Sequence, residues 1–237
     1  MNWLNRCARR KRVWNIALVV MTGVFLSGCA QSPGEESQVT ETVVESENFI
    51  ETEKSEYVPS DEELVLVTDY IPDIYVELAY ATENNFVHEV LYNNNDAYLR
   101  YGTVKKLARV QEKLVAQGYS LKIWDAYRPY EVQCRLWEIC PNPTYVSNPK
   151  TGKLGHCRGN TIDVTLVRLD GTEVEMPTGF DDFTKVADRD YSDVSAQAAA
   201  NSKFLEDAME KEGFAGYSGE WWHYSDEQDY PIMKDLR

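Results

Sequence analysis

The sequence predicts an α+β fold, a single domain in which a central, mostly antiparallel sheet is flanked by helices. Three observations predict it. Stretches of alternating β-branched residues are interleaved with stretches of helical period. The strand-like stretches are short, and one pair flanks the turn Leu169-Asp170-Gly171, a hairpin signal. Finally, Asp61 to Arg237 spans about 177 residues, the length of one compact domain, with no internal repeat or second linker. Helices and hairpin-connected strands in one such length pack as α+β rather than as a parallel α/β fold.

The chain opens on residues kept out of the fold. Arg6, Arg9, Arg10, Lys11 and Arg12 make a basic start, Val13 to Leu26 is a short apolar run, and Leu26-Ser27-Gly28-Cys29 places small residues before a cysteine. The apolar run is shorter than the roughly 20 residues of a spanning helix. Residues 1–28 therefore read as a lipoprotein signal peptide, with Cys29 as the lipidated residue that holds the protein to a cell membrane, facing the wall or periplasm. Residues 29–60 add Glu35, Glu36, Glu41, Glu45, Glu47, Glu51, Glu53 and Glu56 among Ser, Thr and Val. So little apolar surface cannot order a segment, and it reads as a flexible acidic tether.

Within the domain, residues 61–237, Leu64 to Val67 and Ile74 to Ala79 read as strands. Val104, Leu107, Ala108, Leu114 and Val115 recur at helical spacing up to Gly118, predicting a helix over Thr103 to Gln117. Leu121 to Trp124 is a strand. Pro129 opens a helix that runs through Glu131 to Ile139 and stops at Pro141, and Asn142 to Leu154 is a loop. Thr161 to Arg168 and Thr172 to Met176 are the arms of the hairpin. Ala196 to Lys211 is a helix stopped by Gly213, and Phe214 to Tyr217 and Trp221 to Tyr224 are the last strands. The formal net charge of -15 excludes a nucleic-acid partner, which would need clustered Lys and Arg.

The chemistry concentrates in two segments. Gly155 to Leu166 sets His156 and Asp163 seven positions apart, with Asp163 in a β-prone run. Far downstream, Glu220-Trp221-Trp222-His223 adds a second imidazole and a spare carboxylate. Two imidazoles and one carboxylate can hold a zinc ion with a fourth position open, the pattern of a catalytic site. His156, Asp163 and His223 are the candidate ligands of one Zn2+ per chain, and Glu220 the candidate proton shuttle of a zinc hydrolase. Taken singly, Asp163 could be a structural carboxylate, His223 a core histidine between tryptophans, and Glu220 a surface residue. In a regular strand Glu220 and His223 would face opposite sides, so a turn or strand end is expected at Gly219-Glu220. Arg128 lies at a strand-to-helix junction. A salt bridge to Asp125 or Glu131 would explain it, and so would a donor to a developing oxyanion. His88 is left as a non-ligand. Cys134, Cys140 and Cys157 are taken as structural or incidental, with one disulfide open to an exported protein.

Four blocks carry a resemblance. Asp125-Ala126-Tyr127-Arg128-Pro129, His156 to Leu166, Met176-Pro177-Thr178-Gly179-Phe180-Asp181-Asp182-Phe183 and Gly219-Glu220-Trp221-Trp222-His223-Tyr224 resemble, in order, the blocks of the D-alanyl-D-alanine dipeptidases of the vancomycin-resistance (VanX) type. These zinc D,D-dipeptidases are related to D,D-carboxypeptidases and to the hedgehog-type zinc fold. The resemblance implies that His156, Asp163 and His223 bind zinc, that Glu220 is the catalytic base and that Arg128 stabilises the transition state. It also implies that Asp181 receives the ammonium of a dipeptide. Family members usually carry serines where this chain has Leu154 and Gly155, and the resistance enzymes are cytoplasmic, whereas an exported relative would meet wall-derived peptides. The expected activity is hydrolysis of D-Ala-D-Ala. Two alternatives stand beside it: a D,D-carboxypeptidase acting on peptidoglycan stem peptides, and a non-catalytic zinc-bearing wall-binding lipoprotein.

Overall fold

A computed structural model describes residues 57–233. The expected signal peptide, Cys29 and the tether up to residue 56 lie outside the described residues. Residues 57–60 already belong to the compact unit, with Pro59 buried. Among the described residues no helix is long and apolar enough to cross a membrane.

Among the described residues seven strands and five α-helices follow in the order β1 (Leu64–Leu66), α1 (Val67–Tyr70), β2 (Tyr75–Val76), β3 (Tyr98–Arg100), α2 (Tyr101–Val115), β4 (Tyr119–Asp125), α3 (Tyr130–Ile139), α4 (Gly155–Arg158), β5 (Thr161–Arg168), α5 (Ala196–Glu210), β6 (Phe214–Tyr217) and β7 (Glu220–Asp226). The main sheet has the order β2-β4-β5-β7-β6 and is antiparallel except for the β2–β4 edge pair. β1 and β3 form a separate antiparallel pair. The architecture is the expected α+β domain.

Periodicity explains the long elements. Val104, Leu107, Val110 and Leu114 bury one face of α2, and Gly118 stops it at φ +86°, a conformation that costs a glycine nothing. In α5, the Ser195 hydroxyl accepts from the Ala198 amide at 3.0 Å as N-cap, and Leu205 and Met209 are fully buried. α2 and α5 pack together and onto the sheet. Their side of it carries Leu121, Ile123, Val164 and Leu166, joined by the register Leu121↔Leu166 and Ile123↔Val164. Strand alternation then sends Asp163 and Thr165 to the opposite face. That face is covered by loops instead of solvent, so every residue from Thr161 to Val167 is buried.

Several expectations need correction. The hairpin turn forms, with Gly171 at φ +82°, but its second arm does not persist as a strand over Thr172 to Met176. Only Val167↔Glu173 bridges, and Val174 and Met176 leave the sheet to wall a cavity beside it. The strand expected over Ile74 to Ala79 pairs only at Tyr75–Val76, because a 3-10 turn at Ala79–Ala81 redirects the chain. β3 and α4 were not foreseen: three or four residues are too few to show a period. No disulfide joins Cys134, Cys140 and Cys157 to one another. His88 is exposed and stands apart from the metal-ligand cluster.

Candidate active site

His156 sits on α4, a single helical turn entered through Leu154 at φ +55° and left through Gly159 at φ +74°. Two backbone bonds clamp that turn: the Arg128 amide donates to the His156 carbonyl at 3.2 Å, and the Arg100 amide to the Gly159 carbonyl at 2.8 Å. Gly155 is required by closeness, since a Cβ there would lie 2.1 Å from Thr161 Oγ1. The His156 ring is buried, and its Nδ1 lies 2.8 Å from the Ala126 carbonyl. A carbonyl only accepts, so Nδ1 carries the proton and Nε2 presents a lone pair.

Asp163 lies in the middle of β5, with Asp125 and His223 as its neighbours on the adjoining strands. Its Oδ2 is 3.3 Å from His156 Nε2 and its Oδ1 is 2.9 Å from His223 Nδ1. Burial opposes the charge on Asp163, but the two imidazoles overcome it and hold the carboxyl well below the usual range. Oδ1 is buried, yet no donor is aligned on it. A buried carboxylate oxygen close to an imidazole nitrogen but not hydrogen-bonded to it fits two lone pairs aimed at a shared third point. One donor atom from each of His156, Asp163 and His223 lies within 4.8 Å of the others, the spacing of a common cation site.

Glu220 begins β7, where the β6–β7 register slips between Gly216↔Tyr224 and Tyr217↔Glu220. This irregularity is the strand end expected at Gly219-Glu220. It returns Glu220 to the side of His223, with Oε2 3.6 Å from Nδ1. Burial, helped by Asp163 and Asp181 and resisted by His223 and Arg128, pushes the Glu220 carboxyl up to about 7.

Arg128 makes the salt bridge that sequence allowed. Nε and Nη2 both reach Asp125 Oδ2, at 3.0 and 2.5 Å, and Nη1 donates to Gln133 at 2.9 Å. The guanidinium lies 5.1 Å from the centre of the Tyr80 ring. Asp125 is fully buried and also accepts from the Ala126 amide and the Tyr92 hydroxyl. Burial pulls the arginine's pKa down, and Asp125, with Tyr80 and Tyr92, outweighs it and holds the guanidinium well above its usual value. Salt bridge and oxyanion donor are thus compatible, because a guanidinium has five N–H groups and these contacts use three.

Asp181 adopts φ +58° and accepts the Tyr80 hydroxyl at 3.1 Å. Burial pushes its carboxyl up to about 7, with Arg128 opposing and Asp163 assisting. All six sequence-predicted residues, His156, Asp163, His223, Glu220, Arg128 and Asp181, line one cleft of about 400 Å³. Sequence reasoning missed Tyr80, which touches both Asp181 and Arg128. The Asp125–Arg128 salt bridge was weighed from sequence only as an alternative to the donor role, whereas the structure has Asp125 aiming Arg128.

A sequence profile described as D-ala-D-ala dipeptidase matches residues 60–235. A D-alanyl-D-alanine dipeptidase of Escherichia coli (strain K12) is 34% identical over 175 residues, covering 73% of this chain and 90% of that protein. Another of Enterococcus faecium is 34% identical over 165 residues, 61% of this chain and 82% of that one. A third, of Streptomyces coelicolor, is 32% identical over 187 residues, 69% and 91% respectively. A solved vancomycin-resistance D,D-pentapeptidase in complex with Zn(II) superposes with a TM-score of 0.37 at 14% identity, over 65% of this chain and 78% of that one.

Proposed function

The chain belongs to the D-ala-D-ala dipeptidase family, and from that premise we propose that it hydrolyses D-alanyl-D-alanine to two molecules of D-alanine as a zinc metallopeptidase. One observation carries the reading: two buried ligand side chains, from α4 and β5, and a half-buried one from β7 converge beside a carboxylate that is not among them, Glu220, on the wall of a cleft. A zinc ion that only braced a fold would need neither Glu220 nor Arg128.

His156 Nε2, Asp163 and His223 Nδ1 would hold one zinc per chain. Zinc so bound supplies a Lewis acid that brings the pKa of water from ~15.7 toward ~7 and polarises a carbonyl. Glu220 takes the proton of the attacking water and hands it to the departing amine, so that a C–O bond forms as the C–N bond breaks. Its raised pKa suits both acts near neutrality. The spare N–H groups of Arg128 donate to the oxygen on which charge develops, and Asp125 prevents the guanidinium from swinging away. Asp181, steadied by Tyr80, receives the substrate ammonium. A clamp for a free ammonium separates this reading from a D,D-carboxypeptidase on stem peptides, whose substrate nitrogen is acylated.

Release of D-alanine from D-Ala-D-Ala, with L-Ala-L-Ala and an N-acylated analogue alongside, tests the proposal. Turnover of the free D,D-dipeptide alone is expected; equal turnover of the acylated analogue would replace it with the carboxypeptidase. In Glu220→Ala, turnover should fall by at least ~100-fold, the scale of a lost general base, while bound zinc stays near one per chain.

The address is part of the same proposal. Export, lipidation at Cys29 and a tether up to residue 56 rest on the sequence pattern at the start of the chain. They put the enzyme on the outer side of a cell membrane, where wall-derived peptides are its supply.

A further inference from the structure

A free dipeptide carries an ammonium at one end and a carboxylate at the other, and a cleft that selects it must answer both charges. This cleft is acidic: Asp163, Asp181 and Glu220 line it, with Asp125 behind Arg128. An unanswered substrate carboxylate would be repelled by those walls. Two cationic side chains face the cleft. Arg128 is held by Asp125 and Gln133, and its two spare N–H groups are those that serve the developing oxyanion. The other is Lys153.

Lys153 stands three residues before His156, lines the same cleft and is exposed. Its recorded polar contact is through its backbone: the Lys153 carbonyl accepts from Arg158 Nε at 3.1 Å. Arg158 is itself tied to Asp229 and to the Tyr230 carbonyl, so the root of Lys153 is anchored to the folded body. The ammonium has no ion-pair partner among the described residues. A fixed root and a free charge suit a lysine that reaches for a ligand as a point charge. We infer that Lys153 receives the C-terminal carboxylate of the dipeptide, so that the two ends of the substrate are read by Asp181 and Lys153. The inference rests on the dipeptidase reading above.

Lys153→Met and Lys153→Arg, assayed on D-Ala-D-Ala and on its C-terminal amide, test it. Solvent screens an exposed charge, so a moderate effect is expected: KM for the free dipeptide rises about 10-fold in Lys153→Met, kcat moves by less than about twofold, and Lys153→Arg stays near wild type. For the amide, already poor with the wild-type enzyme, Lys153→Met brings no further loss, because the partner charge is gone. Added salt should raise the wild-type KM and leave that of Lys153→Met nearly flat. Equal kinetics of wild type and Lys153→Met on the free dipeptide, or equal losses on both substrates, would overturn the role of Lys153 and leave the dipeptidase standing. Absence of wild-type turnover on the free dipeptide would overturn the dipeptidase and this inference together.

Discussion

At the scale of single residues, the site concentrates charge that the fold would otherwise avoid. Asp181 shows the cost and its use. Its carboxyl is pushed up to about 7 because it is buried, with Asp163 close by; Arg128, the Tyr80 hydroxyl and the Phe86 backbone pull the other way. Ionised Asp181 attracts an ammonium and neutral Asp181 does not, so KM for the dipeptide should climb as pH drops below about 7. Asp181→Asn should raise KM and flatten that profile, as steady-state kinetics between pH 5.5 and 8.5 would show. The same shift has a sign for stability. The folded carboxyl holds a proton between about pH 4 and 7 that the unfolded chain has released, so this group's contribution to stability falls as pH rises through that window. Metal-free Asp181→Asn protein should therefore resist urea better than metal-free wild type at pH 8, and no worse at pH 4. Asn still accepts the Tyr80 hydroxyl, so the comparison isolates the charge.

At the scale of elements, one helical turn decides whether the ligands meet. α4 holds His156 through a left-handed entry, a left-handed exit and contact with β5 at Gly155. Gly155→Ala would force its Cβ to within 2.1 Å of Thr161 Oγ1, so either α4 or β5 must shift. Overpacking of this kind costs about 1–3 kcal/mol, and here the displacement falls next to a ligand. Zinc affinity measured by competition with a chromophoric chelator should weaken by tenfold or more. Adding Thr161→Ala removes the clashing oxygen and should recover most of the loss; an unaltered affinity in Gly155→Ala would show that α4 yields freely. The irregular start of β7 has a like role, turning Glu220 onto the face of His223 that ideal alternation would deny it.

At the scale of the whole molecule, the proposed ligands on α4, β5 and β7 would make a bound metal a link between a helical turn and two sheet strands. Anything that binds the folded chain alone stabilises it by mass action, about 2.7 kcal/mol at a free concentration 100 times Kd. Chelation should lower Tm measurably, and returning zinc should restore both Tm and turnover. The proposed tether makes a separate prediction. Cys29→Ala should lose incorporation of labelled fatty acid and leave the membrane fraction, while the purified enzyme keeps its kcat; continued labelling would sink the lipoprotein address.

The sequence by itself determined the long elements and the chemistry. α2, β4, β5 and α5 bury whole faces, so their periods are written over many residues. His156, Asp163, Glu220 and His223 were legible from residue types that have few uses together, Arg128 as one of two readings, and Asp181 only through the family resemblance of its block. Only the tertiary structure decided what those side chains touch. β3 and α4 were too short to carry a period, and the arm at Thr172 to Met176 has strand-like residues but leaves β5 after the single bridge Val167↔Glu173. The aim of Arg128 depends on Asp125, the place of Asp181 on Tyr80, and the facing of Glu220 on a register slip. Residue types are local properties of a chain; distances and desolvation arise from contacts between segments far apart along it, and these set the charges on which the site works.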